Sequence, residues 1–372
     1  MTAHLPARLG QTLAEVDTPA LILELDAFEA NLRKLNEALA GRSVRVRTHA
    51  KTHKCPEIAL RQIKAGAVGV CCQKVSEAEA MVEGGVSDVL VSNEVVGAQK
   101  LARLARLARR ARIGICVDDR RQIAALGAAV QAEQVEIDVY VEIDVGARRC
   151  GVAPGAPALE LARAIVSTRG LRFAGLQAYQ GSAQHVRTVA ERREKIGVAI
   201  EAARMTRALI EADGIRCPIV TGAGSGTFMF EAASGVYDEL QPGSYIFMDA
   251  DYARNEWAPP LPRFEHSLFV LASVMSCPVP GRVVLDAGLK SSSVDSGLPT
   301  VWQRPGVEYV RASDEHGVLE VKAGAEAPDL GDKLLLVPGH CDPTVNLYSW
   351  YVCMRGGVVE ALWPITARGA LA

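Results

Sequence analysis

The 372-residue sequence lacks the features that mark several common classes of protein. It has no excess of charge of one sign, because 41 Lys and Arg residues nearly balance 43 Asp and Glu residues and leave a formal net charge of −2. Nucleic-acid and anionic-membrane surfaces usually carry a basic excess, so we expect neither as the main partner. No apolar run reaches the roughly 18–20 residues of a membrane span. The amino-terminal segment lacks the apolar core of a secretory signal, so we expect a cytoplasmic protein.

Cysteine pairs with the spacing of a metal site are also lacking. Nine cysteines are present, but none belongs to a C-x-x-C pair, and several lie in apolar runs such as VGVCCQ and IGICVDD. A thiol in such a run behaves as a small hydrophobic side chain. The odd number of cysteines favours reduced, structural thiols over a disulfide framework.

What the sequence does contain is a long alternation of short β-rich runs with helical segments. With 49% hydrophobic and 23% charged residues, the chain should bury a sizeable core. Eight runs are predicted as strands: 20–26, 44–51, 68–73, 88–94, 112–119, 136–144, 171–179 and 218–224. Apolar residues recur at helical spacing between them. Eight such units predict a (β/α)8, TIM-like barrel over 20–255 rather than a doubly wound open sheet.

The pattern changes after about residue 250. Helical periodicity fades, and β runs separated by proline and glycine follow, such as HSLFVLASVMS, GRVVLDAG and DKLLLVPG. This pattern predicts a second, mostly antiparallel β domain over 256–372, and we expect residues 1–19 to pack with it. The predicted class is therefore α/β, with the barrel as the larger domain.

Polar residues at the carboxyl ends of barrel strands are the first candidates for an active site. Lys51 ends the second predicted strand, where a partly desolvated lysine suits Schiff-base chemistry, although a solvated loop charge is the simpler interpretation. Arg148 and Arg149 follow the sixth strand and form either an anion clamp or part of an ordinary loop. His185 follows the seventh, and a lone loop histidine is more often incidental than catalytic.

The last predicted strand leads into a glycine-rich loop. Glycine N–H groups and Ser or Thr hydroxyl groups can surround a phosphate, and barrels commonly bind phosphate after strands seven and eight. A tight turn without a ligand is the alternative. The candidate residues are Thr221, Gly224, Ser225, Gly226, Thr227, Ser244 and Tyr245.

The β domain contributes a possible metal pair in the segment 337–344. In an extended segment His340 and Asp342 would share a face, and imidazole with carboxylate suits Mn²⁺, Zn²⁺ or Mg²⁺. Two protein ligands would leave positions open for water and substrate oxygens. A His-x-Asp pattern alone is common and mostly coincidental.

A lysine, a phosphate loop and a metal pair together describe a pyridoxal 5′-phosphate (PLP) barrel with an added Lewis acid. The sequence resembles the fold-type III PLP enzymes, specifically the D-threonine aldolase and D-3-hydroxyaspartate aldolase group of the alanine-racemase-like barrels. The matching motifs span nearly the whole chain: DTPALILELD, HAKTHKCPEIA, GVCCQKVSEAEA, SNEVVG, EIDVG, RCGV, GLQAY, GVYDELQPGSYIFMDADY, DAGLK, DEHG and PGHCDPT.

This resemblance implies roles for the cofactor residues. Lys51 would bind PLP covalently, Arg149 would approach the phenolic oxygen of PLP, and Tyr179 would line the site. The glycine-rich loop, with Ser244 and Tyr245, would surround the phosphate. Arg148 stands where the family commonly has glycine, which would strain a backbone position that requires positive φ.

The resemblance also implies roles for the substrate side of the site. His340 and Asp342 would hold a divalent metal, Mn²⁺ before Mg²⁺, Co²⁺ or Zn²⁺, and His185 would lie near the substrate hydroxyl. A homodimer is implied, in which the β domain of one subunit closes over the barrel of the other.

The activity implied is retro-aldol cleavage of a D-3-hydroxy amino acid, of the D-threonine type, to glycine and an aldehyde. Gln180 and the segment 294–299 look more like the hydroxyaspartate aldolases, which would give glycine and glyoxylate. A D-serine or D-3-hydroxyaspartate dehydratase is a further alternative. The resemblance implies an H-x-C metal pair in such enzymes, whereas this chain has H-x-D, so Asp342 favours an aldolase. A non-catalytic PLP carrier would not need the β domain.

Overall fold

The computed structural model describes residues 5–372, which form a closed barrel and a second sheet. The strands are β1 (Ala20–Glu24), β2 (Arg45–His49), β3 (Gly69–Cys72), β4 (Asp88–Val91), β5 (Arg112–Val117), β6 (Ile137–Glu142), β7 (Leu171–Ala178), β8 (Ile219–Gly222), β9 (Glu239–Leu240), β10 (Leu268–Val279), β11 (Arg282–Leu285), β12 (Thr300–Val301), β13 (Val307–Ala312), β14 (Gly317–Val321), β15 (Lys333–Val337), β16 (Trp350–Arg355) and β17 (Val358–Pro364).

The helices connect these strands. The α-helices are α1 (Leu25–Leu39), α2 (Pro56–Lys64), α3 (Val75–Glu83), α4 (Ala98–Leu107), α5 (Arg120–Glu133), α6 (Ala156–Val166), α7 (Val189–Ala212), α8 (Phe228–Ala232), α9 (Ala250–Ala253) and α10 (Cys341–Val345). The 3₁₀ helices are η1 (Leu13–Glu15), η2 (Ala50–Thr52), η3 (Gly181–His185) and η4 (Ser244–Ile246). No helix in residues 5–372 is both long and apolar enough to cross a membrane.

Strands β2 to β9 pair in parallel and in chain order to close an eight-stranded barrel. Their central residues are almost all buried, because the barrel interior covers one face and the surrounding helices cover the other. Amphipathic helices supply that cover; α4, for example, buries Leu101, Leu104 and Leu107. The predicted TIM-like barrel is therefore confirmed.

The predicted strand assignment was wrong at both ends of the barrel. The run 20–26, predicted as a barrel strand, contains β1, which pairs antiparallel with β10 and parallel with β16 in the second sheet. The strand that completes the barrel is instead β9, whose two residues pair with β8 and β2. An apolar run buried on both faces looks the same in either sheet, and two residues are too few to show a period. Lys51 thus follows the first barrel strand, not the second.

The second sheet has the order β13-β14-β11-β10-β1-β16-β17, with β15 paired to β10 and β12 to β15. All its pairings except β1 with β16 are antiparallel. The amino-terminal segment lies against this sheet: Gly10 N donates to Val359 O, and Val16 is buried in the same apolar cluster as Ile22. Residues 1–4, which belong to the segment predicted to pack here, lie outside the described residues.

Candidate active site

A cavity of about 380 Å³ lies where the carboxyl ends of the barrel strands meet a loop of the second sheet. This is the end of a barrel at which active sites are normally found. Nine of the predicted site residues line it: Lys51, Arg149, Tyr179, His185, Gly224, Ser225, Ser244, His340 and Asp342.

The other four predicted residues lie just outside the lining, where their polar groups are used within the protein. Gly226 N donates to Gln184 Oε1 at 2.9 Å, and Thr227 Oγ1 accepts from Nε2 of the same side chain. The hydroxyl groups of Thr221 and Tyr245 hydrogen-bond to other buried side chains. These residues therefore support the loop from the side that faces away from the cavity.

Lys51 and Asp342 form an ion pair across the cavity. Lys51 lies in η2, directly after β2, and its Nζ is 2.8 Å from Oδ2 of Asp342, which comes from α10. Asp342 raises the pKa of Lys51, more than burial lowers it. Burial opposes ionisation of Asp342, but Lys51 and then His340 hold its pKa at about 2. The contact joins the barrel to the second sheet at the predicted cofactor lysine.

Four backbone N–H groups along one wall fit a phosphate. Gly224 and Ser225 belong to the loop after β8, and Gly243 and Ser244 to the turn after β9. All four residues line the cavity, and none of these N–H groups donates a hydrogen bond within residues 5–372. Converging, unpaired N–H groups form a site for an anion. The close approach requires glycine, since a Cβ on Gly243 would lie 2.6 Å from Thr52 Oγ1.

Arg149 rather than Arg148 faces the cavity. The Arg149 guanidinium lies over the ring of Tyr179, 5.6 Å from its centroid, where it could meet an oxygen of a planar cofactor. Arg148 is exposed and adopts a φ of 51°, so the backbone is in the left-handed region that glycine adopts more easily. Asp144 fastens this turn by accepting from the N–H groups of Gly146 and Arg148 at 2.9 and 3.0 Å.

His340 and Asp342 fit a divalent metal, although not on an extended segment as predicted. His340 caps the short helix α10 and Asp342 lies in its first turn. Nδ1 of His340 is 2.8 Å from Oδ2 of Asp295, an arrangement typical of metal-binding histidines because it leaves Nε2 as the ligand atom. Oδ1 of Asp342 is buried without a hydrogen-bond partner. An orphaned carboxylate oxygen beside an oriented imidazole fits a cation.

A buried carboxyl group beside Arg149 was not predicted from the sequence. Glu142, at the end of β6, has a side chain 5% exposed with Oε1 3.9 Å from Arg149 Nη2. Burial and then the charge of Glu94 raise the pKa of Glu142 to about 8, against the opposing effect of Arg149. Both carboxylate oxygens of Glu94 are buried without a hydrogen-bond partner. The raised pKa therefore favours the protonated form of Glu142 at neutral pH.

This raised pKa makes the stability of the protein depend on pH. Between about pH 4.5 and 8 the folded state binds a proton that the unfolded chain has lost, so the free energy of unfolding falls as pH rises. The limiting slope for one proton is about 1.4 kcal/mol per pH unit. Urea unfolding of wild type and Glu142→Gln at pH 5, 6, 7 and 8 should show a steeper fall in the wild type than in the variant. Glu326→Gln, at an exposed glutamate, should follow the wild type; parallel curves for all three would contradict the assignment.

Three further cavity residues, His49, Gln73 and Ser92, were not among the predicted site residues although they lie in matching motifs. His49 Nε2 lies 2.8 Å from Gln73 Nε2 and 3.3 Å from Ser92 Oγ, and all three residues line the cavity. Burial, followed by the charge of Lys51, holds the pKa of His49 well below its ordinary value, so the ring is neutral. Each of these residues ends or follows a barrel strand, so a search of polar residues at the carboxyl ends of the predicted strands could have found them.

The fold and the site define an alanine-racemase-like barrel enzyme. Residues 23–251 match the family model of the alanine racemase N-terminal domain, and residues 267–354 match that of a putative serine dehydratase domain. A D-threonine aldolase from Arthrobacter sp. is 53% identical over 98% of this chain and 96% of its own length. A 3-hydroxy-D-aspartate aldolase from Paracoccus denitrificans (strain Pd 1222) is 48% identical over 98% and 95%.

A solved structure agrees with these relatives. The crystal structure of D-threonine aldolase from Filomicrobium marinum matches with a TM-score of 0.98 and 54% identity, and the match covers 99% of this chain and 100% of that one. The chain belongs to the family of D-threonine and 3-hydroxy-D-aspartate aldolases within the alanine-racemase-like barrels. The family predicted from the motifs is thereby confirmed, and its fold implies PLP as the cofactor.

Proposed function

We propose that the chain is a D-3-hydroxy amino acid aldolase that uses PLP and a divalent metal, Mn²⁺ before other ions, to cleave D-threonine-type substrates to glycine and an aldehyde. The observation that carries the proposal is the 2.8 Å contact between Lys51 and Asp342. It brings the lysine for the cofactor next to the His340 and Asp342 pair for the metal in one cavity. The identity of 53% to a D-threonine aldolase supports the same reaction.

The residues of the cavity divide between the two groups. Lys51, Arg149 and Tyr179, with the N–H groups of the two glycine-containing loops, would hold PLP. His340 and Asp342 would hold the metal. When bound, PLP supplies a sink for the electrons of the Cα–Cβ bond, and the metal supplies a Lewis acid for the substrate hydroxyl. His185 lines the same cavity and would accept the proton of that hydroxyl.

The ion pair controls the protonation state of Lys51. An amine bonds to a carbonyl carbon only after it has lost its proton, and the Asp342 carboxylate at 2.8 Å keeps Lys51 protonated. A second cation on Asp342 would weaken this hold and lower the pKa of Lys51. Occupation of the metal pair would therefore favour the free amine.

A second candidate substrate is D-3-hydroxyaspartate, which the same reaction would convert to glycine and glyoxylate. The relative from Paracoccus denitrificans at 48% identity supports this candidate. A dehydratase has less support, because the D-threo-3-hydroxyaspartate dehydratase from Delftia sp. is 28% identical to this chain. A homodimer, as the resemblance implies, remains a prediction.

Product analysis tests the proposal. The protein with PLP and Mn²⁺ would be incubated separately with D-threonine, D-3-hydroxyaspartate and D-serine, and with L-threonine as the stereochemical control. We expect glycine with acetaldehyde from D-threonine, and the faster of the first two substrates identifies the subgroup. A 2-oxo acid with ammonia, or equal cleavage of L-threonine, would contradict the proposal.

A further inference from the structure

His185 makes a short hydrogen bond on the side away from its free ring nitrogen. The imidazole ends η3 at the wall of the cavity, and its Nδ1 is 2.5 Å from Oδ2 of Asp251. The histidine side chain is 48% exposed, whereas that of Asp251 is 6% exposed. No residue in 5–372 hydrogen-bonds to Nε2 of His185. The ring is therefore anchored at one nitrogen and available at the other.

Asp251 is held as a carboxylate by two arginines. Nη2 of Arg187 and Nη2 of Arg254 lie 2.6 and 2.5 Å from Oδ1, which leaves Oδ2 for His185. Burial opposes the charge, but Arg187, Arg254 and His185 hold the pKa of Asp251 at about 2. An ionised carboxylate can only accept, so Nδ1 of a neutral His185 carries the hydrogen and Nε2 keeps its lone pair.

The short helix α9 links this pair to the metal loop. Asp249 caps α9 and accepts from Cys341 N at 3.2 Å, between His340 and Asp342. Asp251 in the first turn of α9 holds His185. One short helix thus connects the histidine to the loop of the predicted metal ligands.

We propose that Asp251 is the positioning residue for His185, fixing the tautomer in which Nε2 accepts the proton of the substrate 3-hydroxyl; this inference rests on the proposed function. In that step the O–H bond breaks and an N–H bond forms at Nε2. The electron pair left on oxygen forms the second bond of the aldehyde carbonyl as the Cα–Cβ bond breaks, and the electron pair of that bond stays with Cα, which takes up a proton to give glycine. Asp251 stays ionised and stabilises the imidazolium, which afterwards returns its proton to solvent.

A double-mutant cycle separates positioning from a structural role. His185→Ala should lower kcat by roughly 10²-fold or more, the usual contribution of a general base. Asp251→Asn should lower kcat at least about tenfold with KM nearly unchanged, because the amide can select the wrong tautomer. In the His185→Ala background Asp251→Asn should change kcat less than about twofold, since the two residues act as one unit. Equal effects of Asp251→Asn in both backgrounds would overturn the proposal.

Asp138→Asn is the matched control for the loss of a buried carboxylate. Asp138 has a side chain 3% exposed and pairs with Arg112 and Arg172 at the amino end of β6, away from the cavity. We expect a loss of stability in this variant with kcat unchanged. A fall in kcat equal to that of Asp251→Asn would mean that any lost buried carboxylate has this effect, and would overturn the proposal.

The tautomer of His185 can also be determined by a measurement that does not depend on enzyme activity. Ring ¹⁵N shifts of the histidine-labelled protein, with His185→Gln to assign the signal, should show hydrogen on Nδ1 in the wild type. Hydrogen on Nε2 would overturn the positioning role even if no Asp251 variant folds. If no substrate is cleaved, the proposed function fails, and this measurement alone decides whether Asp251 fixes the tautomer.

Discussion

Replacement of Lys51 with alanine is expected to lower the rate of D-threonine cleavage by at least roughly 10³-fold, because it removes the amine proposed to bind the cofactor covalently. No other lysine in residues 5–372 lines the cavity, so no neighbour can take its place. The visible absorption band of lysine-bound PLP should disappear from the variant. Steady-state rates and the absorption spectrum measure the two effects.

Metal binding separates a lost function from a lost fold in this variant. Without the ammonium group 2.8 Å away, Asp342 loses its nearest competing cation, so Mn²⁺ should bind at least as tightly as in wild type. Isothermal titration of the cofactor-free variant measures this affinity. Lys322→Ala, at an exposed lysine directly after β14, serves as the control and should keep both activity and spectrum. Activity of Lys51→Ala within tenfold of wild type would exclude the assigned role.

The sequence predicted the barrel because its signal is repeated. Seven of the eight predicted runs contain a barrel strand, β2 to β8, each with a helix after it, and the count of eight was right because the wrongly included run 20–26 offset the missed β9. The ends of the barrel depend on single elements. Whether β1 joins the barrel or the second sheet depends on pairing with strands some 250 residues later, and β9 has only two residues. Local patterns contain neither piece of information.

Site residues with reactive side chains after the ends of strands could be predicted from the sequence. Residues that only hold another side chain in place were harder to predict. Lys51, Arg149 and Tyr179 stand at strand ends and carry recognisable chemistry. Asp251 does not: it lies in a four-residue helix and acts on a histidine 66 positions earlier in the chain. The proton of Glu142 depends on burial beside Glu94, which arises only when two strand ends meet.

Substitution of the predicted metal pair, His340 and Asp342, is expected to have the second large effect on activity. His340→Ala and Asp342→Asn should each lower cleavage by at least roughly 10²-fold, because the first change would remove, and the second would weaken, a ligand proposed for the metal. Each variant should still bind PLP at Lys51, with its visible band retained. Removal of metal from the wild type with a chelator should give the same loss, and added Mn²⁺ should restore it. Full activity in metal-free buffer would refute the role given to this pair.

Asp295→Asn provides the graded comparison for these variants. Asp295 holds Nδ1 of His340 at 2.8 Å but is itself half-exposed, so its loss should leave the ligands present and less well oriented. Residues in this position typically contribute 10–100-fold to metal affinity. Higher Mn²⁺ should therefore restore Asp295→Asn fully, whereas His340→Ala should stay inactive at every concentration. A higher Mn²⁺ concentration can compensate for a badly oriented ligand but not for a missing one. Equal rescue of both variants would therefore mean that His340 orients the substrate instead of binding the metal.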